Sequence, residues 1–63
     1  MTDEKLDRLR LLASQASIHY GARMTVEPCM RGYYLMNYKD QPVLFTYHDL
    51  SRRLRDIIQR GER

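Results

Sequence analysis

A chain of 63 residues with 43% apolar content holds one hydrophobic core and leaves no length for a second, so residues 1–63 are read as a single domain. Eleven basic residues against eight acidic ones give a formal charge of +3, a modest excess that suits an acidic protein or a nucleic acid without demanding either. Cys29 is the only cysteine, which excludes an intramolecular disulfide, and the charged start Asp3-Glu4-Lys5 with no long apolar run behind it predicts no signal peptide and no membrane span, hence a cytoplasmic protein.

From Asp3 to about Tyr20, the residues Leu6, Leu9, Leu12, Ala13, Ala16 and Tyr20 recur at steps of three and four, the stripe of an amphipathic helix. Thr2 or Asp3 caps its start, and Gly21 stands where a left-handed residue ends it. Leu11 and Ile18 lie off that stripe, seven residues apart on the side of Asp7, Ser14 and Gln15. Soluble proteins tolerate two isolated aliphatics, and the same pair also suits contact with a partner helix.

Ala22, Met24 and Val26 then alternate with Arg23, Thr25 and Glu27, the period of a half-buried strand that Pro28 either stops or confines to a sheet edge. Pro28 to Gly32 reads as a reversal. Tyr33–Asn37 and Pro42–Tyr47, rich in aromatic and branched residues, form a hairpin around the polar loop Tyr38-Lys39-Asp40-Gln41. Alternation sends Tyr33, Leu35, Val43 and Phe45 to one face and Tyr34, Met36, Leu44 and Thr46 to the other. Both sets carry apolar groups, so the pattern leaves open which one faces the core.

Thr46 and Asp49 have the spacing of a capping box and start a helix that runs to about Arg60, with Leu50, Leu54, Ile57 and Ile58 on its apolar stripe. Arg52, Arg53, Arg55, Asp56 and Arg60 fill the polar arc, Gly61 ends the helix, and Glu62-Arg63 is expected to fray. The expected fold is α+β: helix, three-stranded antiparallel sheet, helix (αβββα), in two layers with both helices on one sheet face.

Chemistry is sparse in this chain. Cys29, His19 and His48 are scattered without a motif that makes a nucleophile or a metal site, and Cys29 is read as a small core hydrophobe. Gly21, Gly32 and Gly61 are isolated, which does not make a phosphate-binding loop. Neither enzyme activity, a cofactor nor a metal is expected. Two helices cover one sheet face, and the other is left with more apolar surface than solvent contact explains. This points to a non-enzymatic protein-binding module, an inhibitor or regulatory accessory protein, and to a homodimer, because a core this small usually draws extra stability from a partner. Tyr34, Met36 and Leu44 supply the expected apolar contact, Arg31 and Lys39 its charged rim, and Leu11 and Ile18 a second surface. The alternative is a small basic nucleic-acid-binding protein using Arg23, Arg31, Lys39, Arg52, Arg53 and Arg55 beside stacking tyrosines.

Overall fold

The computed structural model describes residues 3–39 and 41–61, so the expectations for Thr2, Asp40 and the Glu62-Arg63 tail fall outside the described residues. The elements are α1 (Glu4–Tyr20), β1 (Thr25–Cys29), β2 (Gly32–Met36), β3 (Val43–Phe45) and α2 (Tyr47–Arg60). The three strands form one antiparallel sheet in the order β1-β2-β3. α1 packs along α2 and against β1, while α2 also covers β2 and β3. Both helices therefore lie on the same side of the sheet, giving the two-layer αβββα arrangement.

Each helix begins and ends on residues whose chemistry suits the task. Asp3 caps α1 by accepting a hydrogen bond from the Leu6 N–H at 3.1 Å, and Thr46 caps α2 by accepting from the Asp49 N–H at 3.2 Å. Gly21 and Gly61 close the two helices in the left-handed conformation, their N–H groups donating to the carbonyls of Ser17 and Ile57. The expected apolar stripes form the core. Leu9, Ala13 and Ala16 of α1 and Leu50, Leu54 and Ile57 of α2 are buried, with Met24, Val26 and Leu35 beneath them. Leu6, Leu12, Tyr20 and Ile58 close its margins as half-buried residues.

Five expectations are corrected. The first strand starts at Thr25, leaving Ala22, Arg23 and Met24 outside it, and it continues through Pro28 to Cys29. Pro28 is accommodated because β1 is an edge strand. The third strand has only three residues, since Thr46 turns out of the sheet to cap α2 and Tyr47 is already helical. Asn37 falls beyond β2 with φ of 62°, and Lys39 also takes positive φ. Tyr38, expected in a polar loop, is buried: its ring packs on Tyr20 at 5.3 Å, and the Lys39 N–H donates to the Tyr20 hydroxyl at 3.2 Å. The loop folds inwards and closes that end of the core. Cys29, read as a core residue, is exposed at the end of β1.

Two details hold the elements together beyond apolar packing. The Ser17 hydroxyl donates to the Ala13 carbonyl at 2.6 Å and accepts from the Met24 N–H at 2.8 Å, tying the last turns of α1 to the start of the β-layer. Gly32 has φ of 151°, and a Cβ there would collide with the Phe45 carbonyl oxygen of β3. Only glycine permits this approach of β2 and β3.

Gly32→Ala is therefore expected to cost about 1–3 kcal/mol from backbone conformation, with the collision added. Gly21→Ala is the control, since it shares a positive φ but has open space around the added methyl. Urea denaturation should place the Gly32 variant well below the Gly21 variant in midpoint, and equal midpoints would refute the close β2–β3 approach.

Candidate interface on the open sheet face

The register assigns each strand residue to a face. Leu35 of the central strand pairs with Val26 on one side and Val43 on the other, and Tyr33 pairs with Phe45. This row points at the helices, with Val26 and Leu35 buried and Tyr33, Val43 and Phe45 half-buried. The opposite face carries Thr25 across from Met36, then Glu27, Tyr34 and Leu44 in one line, then Cys29 beside Gly32. Tyr34 is 38% exposed and Leu44 41%, and Met36 is half-buried.

Tyr34, Met36 and Leu44 thus come together on one surface. Tyr34 and Leu44 are direct cross-strand partners, and Met36 stands two residues from Tyr34 on the same face. Arg31, in the turn before β2, and Lys39, just after it, stand exposed at opposite ends of the patch. The Lys39 ammonium lies 5.4 Å from the centre of the Tyr38 ring, which restrains that side chain. Leu11 and Ile18 do not join them. They are 60% and 81% exposed, but they belong to α1, on the helical side of the molecule.

Residues not anticipated from the sequence also border the patch. Met30 is fully exposed in the two-residue turn between β1 and β2, and Cys29 presents its thiol on the same face as Glu27. A two-residue link between strands is the signal that bears on them: it makes Cys29 and Gly32 the closing pair and leaves Met30 and Arg31 in solvent. His19, Cys29 and His48 sit on three different elements, and no group of three His, Cys, Asp or Glu side chains suited to a metal ion occurs among the described residues. No helix is long and apolar enough to cross a membrane among the described residues.

Aromatic contacts organise the core edge nearest the α1 N-terminus. Tyr33 meets Tyr47 edge-on at 6.4 Å, and the Lys5 ammonium lies 5.5 Å from the centre of the Tyr47 ring. Burial pushes the Tyr33 phenol above its ordinary value of 10.0, and the Asp3 carboxylate and Tyr47 act in the same direction. With this geometry in place, the chain matches no protein-family model, no curated protein and no solved structure.

The raised Tyr33 value has a defined sign. The folded chain favours the neutral phenol, so its stabilising contribution is complete below the unfolded value and is lost as pH climbs through the higher folded one. Urea midpoints compared at pH about 8 and about 11 should fall less for Tyr33→Phe than for the parent chain. An identical fall in both would show that Tyr33 does not carry this part of the alkaline sensitivity.

Proposed function

We infer that the chain is a non-enzymatic protein-binding module whose first partner is a second copy of itself, joined through the open face of the sheet. The observation that carries this reading is the exposed Tyr34–Leu44 pair at the centre of that face. An antiparallel sheet with one solvated side is expected to alternate apolar-in with polar-out, and β1 follows that rule with Thr25 and Glu27 while β2 and β3 break it. Tyrosine and methionine are enriched at interfaces, where one end of the side chain is dry and the other wet.

Charge supports self-pairing. Glu27 flanks Tyr34, while Arg31 and Lys39 stand at the ends of β2, so the rim of the patch carries charges of both signs that two copies can bring together. A dimer also adds buried apolar area to a core too small to have much in reserve. The exposed Cys29 thiol fits a reducing, cytoplasmic setting, and the small size fits a regulatory or inhibitory accessory of a larger complex.

A nucleic-acid-binding role is the second reading. His48, Arg52, Arg55 and Gln59 follow one another at helical spacing on an exposed strip of α2, although Asp56 borders the same shallow depression and offsets part of its charge. Phosphate contacts would make affinity fall steeply with salt.

Sedimentation velocity at micromolar concentration should show a dimer, and Leu44→Lys, at an exposed site, should give a folded monomer with the parent circular dichroism. A parent chain that sediments as a monomer would overturn the self-association. For the second reading, titrating labelled single- and double-stranded oligonucleotides from low to moderate salt should reveal a steep loss of binding, and no binding at the lowest salt removes it.

A further inference from the structure

A groove of about 490 Å³, the size of a small-molecule site, runs between α1 and the start of β1. The return of the chain after Gly21 builds it. The Ser17 hydroxyl accepts from the Met24 N–H at 2.8 Å, which sets the last turns of α1 beside Arg23, Thr25 and Glu27. Arg10 and Ser14, earlier on α1, complete the opposite wall. The core seals the floor: Met24 and Val26 are 3% and 1% exposed, so the groups open to a ligand are the side chains of the two walls. Arg10, Ser14, Arg23 and Thr25 are all exposed.

Two of those side chains are guanidinium groups that the fold sets apart. Arg23 adjoins the Ser17–Met24 tie, whereas Arg10 precedes Ser17 by two helical turns, about 10 Å along the α1 axis. No ion pair holds either of them among the described residues. The Ser14 and Thr25 hydroxyls belong to the stretch of wall between them. Glu27 is the one acid on the walls, so positive charge is in modest excess. A guanidinium fork pairs with one carboxylate through two parallel hydrogen bonds, and a single small anion therefore satisfies only one of two forks held apart. A ligand with an acid at each end satisfies both.

We propose that this groove binds a small linear dicarboxylate, with one carboxylate on Arg23, the other on Arg10, and the Ser14 and Thr25 hydroxyls donating to oxygens that the forks leave free. The modest charge excess suits two carboxylates better than two phosphates, which carry roughly −1.5 to −2 each. Selectivity comes from length: a diacid too short to span the groove engages one guanidinium and is held like a monocarboxylate, and one of matching length engages both. Glu27 opposes the charge of the ligand and lowers its affinity. Because Glu27 pairs across the ladder with Tyr34, the groove adjoins the open sheet face, and occupancy is read on α1, at Arg10 and Ser14. The site requires no second copy of the chain.

The test titrates the full chain, isotopically labelled, with malonate, glutarate and adipate at constant ionic strength, and with acetate as the single-acid control. The best-fitting diacid should shift the Arg10 and Arg23 side-chain resonances and the Ser14 amide saturably, and bind at least about tenfold more tightly than acetate. Arg10→Gln and Arg23→Gln, both at exposed sites, should each bring that diacid down to the level of acetate. Glu27→Gln should tighten it by about twofold. No saturable shift, equal affinity for acetate and all three diacids, or full affinity retained in either arginine variant would leave an adventitious anion contact only and overturn the proposal. Shifts centred on Tyr34 and Leu44 instead of α1 would overturn it as well.

Discussion

The parity of the central strand governs everything else in this molecule. Leu35 is fully buried, flanked across the ladder by Val26 and Val43 and roofed by the leucines of both helices. Because side chains alternate along a strand, seating Leu35 in the core commits Tyr33 to the same side and expels Tyr34 and Met36 to the other. Cross-strand pairing passes that decision on: Val26 and Val43 follow Leu35 inwards, Phe45 follows Tyr33, and Leu44 follows Tyr34 outwards. A slip of one residue would bring Tyr34 and Met36 under the helices and expose Leu35. The Gly32 contact with the β3 backbone works against such a slip, since no other residue fits at that point of the register.

Much of the architecture is legible in the sequence because its signals are local. The helix stripes, the Asp3 and Thr46 caps and the two closing glycines follow from residues within one or two turns of each other, and each is found where the pattern puts it. The parity of the hairpin was not legible, because both alternating sets carry aromatic and aliphatic residues and hydrophobicity alone ranks them equally. What decides between them is the fit of Leu35, Val26 and Val43 beneath two particular helices, a non-local property. Tyr38 shows the same limit. Its neighbours Lys39, Asp40 and Gln41 mark a loop, and its burial depends on Tyr20, eighteen residues earlier. Ser17 reads as one more polar helix residue until the chain returns at Met24.

The candidate sites divide along the same line. Tyr34, Met36 and Leu44 could be grouped by alternation, and Leu11 and Ile18 by helical spacing, because each grouping needs one element or one hairpin. Their separation onto opposite sides of the molecule needs the layer order. A groove of about 490 Å³ that Arg10 and Ser17 of α1 and Arg23 and Thr25 around the start of β1 line together is not legible in the sequence for a further reason. Arg10, Arg23 and Thr25 belong to an exposed helix face, a connecting segment and the first residue of β1, and nothing in their spacing announces that the chain folds back to bring them together.

The edges of the sheet limit how it can grow sideways. β3 offers three residues before Thr46 leaves to cap α2, and β1 buries Val26 in the core and carries the donorless Pro28 two residues later. Short strands and proline are devices that keep a sheet from growing sideways. With lateral growth restricted in this way, the unsatisfied surface that remains is the face itself, where Tyr34 and Leu44 stand opposite each other. Burial of that face requires stacking rather than strand addition, and stacking is governed by side-chain area and the placement of Glu27, Arg31 and Lys39 around it.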